Sequence, residues 1–232
     1  MPELPEVETI CNSLKSNVRG SIIKDVGVKT KKLRYKIQTR YIKEILNNRI
    51  QSIIRRGKYI LFFLSGNFVL LFHMGMSGSF SISGLCSQRK KHDHILFTLE
   101  NLKRKKKVLA FNDPRKFGCF IIVRKEKISC HRLLHHLGLE PLDDQFNGEA
   151  LFNILKDTHS LVKSTLMNQN KIVGIGNIYA CEALFDAGIS PQRDAANISI
   201  HEAKKLTASI KKILTKAIKS GGSSLVNYKN VD

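Results

Sequence analysis

Met1-Pro2-Glu3 is the part of this sequence with the widest chemical reach. Proline is small enough at the second position for the initiator methionine to be removed, which would leave Pro2 with a free secondary amine. An α-amino group titrates near 7.7–8.0 in model peptides, so a useful neutral fraction exists at neutral pH. A neutral amine attacks electrophilic carbon and forms an iminium, and the adjacent Glu3 is an acid placed to shuttle a proton. By spacing alone a plainer account covers the same residues: Pro2 and Pro5 start a helix whose acidic first turn complements the helix dipole. Farther on, Gly174-Ile175-Gly176-Asn177 allows close backbone approach just before a helix, a natural seat for a phosphate. It lacks the third glycine of a dinucleotide fingerprint. Beside an apolar strand, His73 has the plain reading of a satisfied core histidine. Met76 and Phe117 read as core residues, and Arg115 as a turn cation. His92-x-His94 has metal-ligand spacing without a third ligand, and reads as structural.

Two textures of sequence must hold these residues. From about residue 20 to 124, short runs rich in branched and aromatic residues recur at 50–54, 59–64, 68–72, 95–99, 108–111 and 119–123, punctuated by Gly57, Gly66, Gly75, Gly78, Gly84 and Asp113-Pro114. That spacing predicts a sandwich or barrel of strands. Val7, Ile10, Cys11 and Leu14 share one face of a preceding helix. From about residue 130 the period becomes helical. Leu133, Leu134 and Leu137 repeat with Gly138 as a stop; stripes follow at 150–155, 161–167 and 177–187. A long helix near 201–220 closes on Gly221-Gly222. The expected fold class is α+β: an N-terminal β-sandwich domain over 1–124 that opens with a helix, a linker over 125–144, and a helical domain over 145–232.

Lys plus Arg is 39 and Asp plus Glu 19, giving the 232 residues a net charge of +20 and a pI of about 9.9. The excess points to a polyanionic partner; a Lys-rich composition without one is the plainer alternative. The basic run at 103–107 falls between two strand runs and reads as a solvated hairpin tip. Cysteines stand at 11, 86, 119, 130 and 181 with no C-x-x-C pair, which supports neither a zinc site nor a disulfide framework and suggests a reducing cytosol. No apolar run approaches the roughly 18 residues of a membrane span. Glu3, Glu6 and Glu8 stand where a signal peptide carries Lys. Membrane and secreted classes are excluded on this reading.

Met1-Pro2-Glu3-Leu4-Pro5-Glu6-Val7-Glu8-Thr9 resembles the start of the bacterial formamidopyrimidine-DNA glycosylase family. Further blocks resemble that family in order: Arg56-Gly57-Lys58-Tyr59, His73-Met74-Gly75-Met76-Ser77-Gly78, Lys91-His92-Asp93-His94, and Asn112-Asp113-Pro114-Arg115-Lys116-Phe117-Gly118. Gly174-Ile175-Gly176-Asn177-Ile178-Tyr179-Ala180, with residues 182–185 and 188–191, resembles its helix–two-turns–helix, and Gly221-Gly222-Ser223-Ser224-Leu225 resembles its G-G-T-T-L segment.

The resemblance implies a DNA-repair glycosylase that excises oxidised purines, chiefly 8-oxoguanine and formamidopyrimidines, and then cuts at the abasic sugar. Its partner would be double-stranded DNA carrying those lesions or abasic sites, its location the bacterial cytoplasm, its state a monomer. The first domain would be catalytic and the second would bind DNA. Carried over, Pro2 is the nucleophile at C1′ and Glu3 protonates the ring oxygen. Lys58 holds a phosphate and supports catalysis, and Glu6 faces the lesion base. His73, Lys163 and Asn177 contact DNA. Met76, Arg115 and Phe117 fill the gap left by the flipped nucleotide. Lys116 stands where the family usually has a second Arg, which weakens any bidentate phosphate grip. The resemblance also implies one structural zinc in a ribbon of four cysteines after the G-G-T-T-L segment. No cysteine follows Cys181 here, so no metal and no cofactor is expected. A truncated DNA-binding remnant of the family and a generic RNA-binding protein are the alternatives; the intact Pro2, Glu3 and Lys58 set argues against the latter.

Overall fold

The computed structural model describes residues 1–222. Leu4–Val18 forms α1, with Pro5 in its first turn and Glu3 as its N-cap residue. Val7, Ile10, Cys11, Leu14 and Val18 fall on one buried face, as the 3.6-residue period requires.

Among the described residues eight strands follow, in two antiparallel sheets of four. The first sheet has the order β1 (Ile22–Val28), β6 (Asp93–Glu100), β7 (Lys106–Asn112), β5 (Ser79–Ser83). The second has β2 (Ile50–Arg56), β3 (Tyr59–Leu64), β4 (Phe68–His73), β8 (Cys119–Arg124). A short helix α2 (Ile42–Ile45) lies between β1 and β2. Ile23, Phe97 and Phe111 of the first sheet meet Phe62, Phe72 and Phe120 of the second in one core, which α1 also enters. Leu61, Val69, Leu71, Ile121 and Val123 occupy the other face of the second sheet and pack under Tyr35, Ile128, Leu133 and Leu134. Both faces of β3, β4 and β8 are therefore buried, which is why these strands read as unbroken apolar runs. β1 and β5 are not among the expected strand runs; Asp25, Ser81 and Ser83 dilute their apolar pattern.

The helical half contains α3 (Gly148–Leu155), α4 (Val162–Met167), α5 (Asn177–Ala187) and α6 (Ile200–Lys219). Asn147 caps α3 by accepting N–H from Glu149 and Ala150; Ser199 and Glu202 form a capping box on α6. Gly188 ends α5 at φ +69, and Gly221 and Gly222 follow α6 at φ +81 and +97. Ser223, Ser224 and Leu225 of the last motif lie outside the described residues, as does the remainder of the expected helical domain.

One expected element is corrected. The Leu133, Leu134, Leu137 stretch is not a helix but successive turns, with Leu134 donating to His131 O and Leu137 to Leu134 O. Leu133 and Leu134 pack on the strand-rich half, whereas Leu139 and Leu142 pack on the helical core. A chain serving two cores in so few residues has no single apolar face. Gly138 stops nothing; it lies against Lys171, where an added Cβ would stand 2.2 Å from the carbonyl oxygen.

Candidate active site and nucleic-acid interface

Three segments converge where the two halves meet. Leu4 N–H donates to Gly174 O at 3.0 Å, fixing the chain start to the segment before α5. Gly174 holds φ +83 with Leu4 so near that a Cβ would meet its side chain at 2.7 Å. Gln169 braces the segment, accepting Gly174 N–H at 2.8 Å and donating to Ile175 O at 2.9 Å.

The Glu3 carboxylate, 5% exposed, then closes the first turn of α5. One oxygen accepts N–H from Ile178 at 3.0 Å; the other accepts from Gly176 at 2.8 Å and Tyr179 at 3.4 Å. These are the orphan amides of a helix start, where the dipole favours negative charge. An added Cβ on Gly176 would stand 2.4 Å from this carboxyl group. Glu6 lies beside it, accepting Glu3 N–H at 2.9 Å and the Tyr179 hydroxyl at 2.6 Å.

The turn between β2 and β3 brings the third segment. Gly57 turns at φ +56 against Val173, and Lys58 follows it, buried among the acids. Burial pushes the Lys58 ammonium below the usual lysine range, while Glu3 and Glu6 pull it back. Glu140 anchors the turn. Its carboxylate accepts Gly57 N–H at 2.6 Å, Arg55 Nη1 at 2.6 Å and Arg56 Nη1 at 3.1 Å. Arg55 Nε reaches Glu8 of α1 at 2.6 Å. Arg55 and Glu140 are about nine-tenths buried, with side chains 9% and 11% exposed. Truncating one member of such a pair costs about 3–5 kcal/mol. Glu140→Ala is expected to lower unfolding free energy by that amount. Glu140→Ala combined with Arg55→Ala should cost less than the sum, as measured by urea unfolding.

A cavity of about 280 Å³ lies at the chain start, lined by Met1, Arg34, His73, Gly75, Met76 and Phe117. Met76 and Phe117 are not core residues; they are 45% and 48% exposed. Arg115 holds its guanidinium 4.7 Å from the centre of the Phe117 ring. The loops carrying them are stitched by buried Asp113, which accepts the Ser77 hydroxyl at 2.5 Å and Gly118 N–H at 2.8 Å. Gly75 lies against Phe117, where a Cβ would meet the backbone carbon at 2.4 Å. Lys116 adopts φ +57, a left-handed conformation that costs a residue with a Cβ.

His73 ends β4, and its Nδ1 accepts Gly75 N–H at 2.9 Å; the proton of the neutral ring is therefore on Nε2. Tyr59 packs on its ring at 4.8 Å. Burial pushes His73 down to about 4, with Arg34 and Lys58 adding to the fall. The unfolded chain thus binds the proton first, and stability falls as pH drops from about 6.5 towards 4. That window is worth of order 2–3 kcal/mol. His73→Gln is expected to flatten the dependence of the urea midpoint on pH there.

Pro2, Glu3, Glu6, Lys58, His73, Met76, Arg115, Lys116, Phe117 and Asn177 thus lie on the start of α1, the end of β4, the start of α5 and the turns between strands. Asn177 is exposed at the first turn of α5. Lys163 is half-buried on α4. Arg34, Tyr59, Glu140, Gln169 and the Tyr179 hydroxyl were not singled out from sequence. Arg34 lies in a Lys-rich stretch and Glu140 in an expected linker, so neither carried a spacing signal.

Among the described residues no three His, Cys, Asp or Glu side chains are grouped to hold a metal. His94 instead places a ring nitrogen 3.0 Å from Asp113 O. Cys11 and Cys119 are buried apart from exposed Cys86, Cys130 and Cys181; the residues present do not fit a four-cysteine zinc ribbon. No helix among the described residues is long and apolar enough to cross a membrane.

Both halves of the chain match known proteins. Residues 1–120 match the formamidopyrimidine-DNA glycosylase N-terminal domain and residues 137–229 its H2TH domain. The formamidopyrimidine-DNA glycosylase of Ruegeria sp. (strain TM1040) is 40% identical over 240 residues, covering 100% of this chain and 83% of the relative. The Lactococcus lactis Fpg in complex with abasic-site DNA superposes with a TM-score of 0.87 at 31% identity, covering 96% of this chain and 80% of that one. MutM in complex with DNA containing carbocyclic 8-oxo-G superposes at 0.88 with 32% identity, covering 98% and 83%.

Proposed function

The chain belongs to the formamidopyrimidine-DNA glycosylase family of DNA-repair glycosylases and AP lyases, and from that premise we propose that it excises oxidised purines from duplex DNA through the amine of Pro2. The observation that carries this reading is the place of the chain start: Met1 lines the cavity shared by His73, Met76 and Phe117, and the Glu3 carboxylate closes the first turn of α5. Removal of Met1 turns the Pro2 nitrogen from an amide into an amine at that cavity.

A bond from Pro2 N to C1′ forms as the glycosidic bond breaks, and the base leaves with the bonding pair and takes a proton from water. The Glu3 carboxylate takes the proton released from the Pro2 nitrogen and passes it to the ring oxygen; the bond from C1′ to that oxygen breaks, the sugar opens, and an iminium remains. Loss of a C2′ proton to water then eliminates the 3′ phosphate and cuts the strand, and hydrolysis of the iminium releases the enzyme. Lys58 and Asn177 hold phosphates, Lys163 and Lys116 add charge along the backbone, and Glu6 faces the extruded base. The neutral His73 ring donates from Nε2 to a phosphate oxygen. Met76, Phe117 and Arg115 enter the gap in the stack, the two apolar ones as wedges. The bacterial relatives favour a cytoplasmic location.

The test is a single-turnover assay on duplex containing 8-oxoguanine, with Met1-free protein. Free 8-oxoguanine and a cut strand are expected, with undamaged duplex untouched. Lys58→Ala should flatten log affinity against log salt by about 0.9. A folded, Met1-free chain that binds the lesion duplex but releases no base contradicts the reading.

A further inference from the structure

The basic run at 103–107 takes no part in this site. It caps the hairpin between β6 and β7, and Asn101 builds its tip. The Asn101 Oδ1 accepts N–H from Lys103 and from Lys105, each at 3.0 Å. Asn101 N–H donates to Lys105 O at 3.0 Å, and Arg104 N–H donates to Asn101 O at 2.9 Å. These four bonds hold Arg104 at φ +58. Leu102 at the tip is 79% exposed, and Lys103, Arg104 and Lys105 are exposed beside it. Glu100 stands opposite Lys106 in the ladder. Among the described residues no carboxylate pairs with Lys103, Arg104 or Lys105.

The tip is also held far from the cavity. Lys107 donates its ammonium to Asn17 O in the last turn of α1, whereas Glu3 precedes the first turn of that helix. Fifteen residues separate the two ends of α1, about 22 Å of helix. Exposed Arg19 lies at the same far end and adds to the charge.

An unstructured lysine run loses backbone and side-chain freedom when it binds; a turn already closed by hydrogen bonds loses only that of its side chains. We propose that this hairpin tip is a second DNA-binding surface, which takes the phosphate backbone of a duplex other than the one at the Met1 cavity. One chain then holds two DNA segments and passes between them without first coming free. The proposal rests on the chain's binding of DNA, not on the roles given to Pro2 and Glu3.

The test replaces Lys103→Gln, Arg104→Gln and Lys105→Gln together, leaving Asn101 to keep the turn. At low salt, native mass spectrometry with a short undamaged duplex should give two duplexes per parent chain and one per triple variant. Dissociation from a labelled duplex should speed up with unlabelled competitor for the parent and not for the variant. Single-turnover excision on a short lesion duplex stays the same in both, so a failure of catalysis is read separately. One duplex per parent chain overturns the proposal. Two per triple variant overturns it as well, and would point to another basic face such as the lysines of α6.

Discussion

Glu3→Gln is expected to lower base excision about 10²–10⁴-fold, the usual contribution of a positioned proton donor. The substitution also has a structural cost that the hydrogen bonds make explicit. Both Glu3 oxygens face backbone N–H groups, and a glutamine turns one acceptor into a donor. At least one amide of α5 is left without its partner, at about 1–3 kcal/mol. Thermal unfolding measures that part, and excision assayed below the transition measures the rest. The loss should fall hardest on intact damaged nucleosides. A preformed abasic site opens to an aldehyde without Glu3, so cleavage there should be retained better. Excision by the folded variant at the parent rate would remove Glu3 from the chemistry.

A chain that retains Met1 should lose base excision to background. Its Pro2 nitrogen is then an amide, whose lone pair is delocalised into the carbonyl, and Met1 itself occupies the cavity lining. Pro2→Gly with Met1 removed keeps a primary amine and should keep partial activity, because the nucleophile is present but not held by the ring. The comparison is made by mass-verified N-termini and single-turnover excision. Full activity with Met1 in place would exclude the amine.

Much of this arrangement was legible before the fold. The unbroken apolar runs and turn residues of β3, β4 and β8 and the stripes of α3, α5 and α6 follow from local sequence, and α5 matches its expected bounds of 177–187. Sequence spacing alone could not raise Pro2 and Glu3 above an ordinary helix start; only the resemblance did so. What stayed hidden is long-range. Glu3 caps a helix more than 170 residues away, and no local pattern encodes that. Glu140 looked like linker because its partners, Arg55, Arg56 and Gly57, lie about 80 residues upstream. Met76 and Phe117 looked like core because each is an apolar residue near a strand; their exposure depends on two loops that Asp113 ties together.

The most direct measurement of the central claim is borohydride reduction during turnover, followed by peptide mapping of the protein–DNA adduct. Reduction converts an iminium into a stable amine, so the peptide carrying the sugar identifies the nucleophile. The account predicts an adduct on the peptide that begins at Pro2, formed with 8-oxoguanine duplex and lost when Met1 is retained. An adduct on Lys58 or another lysine would contradict it, as would excision with no trapped adduct at all.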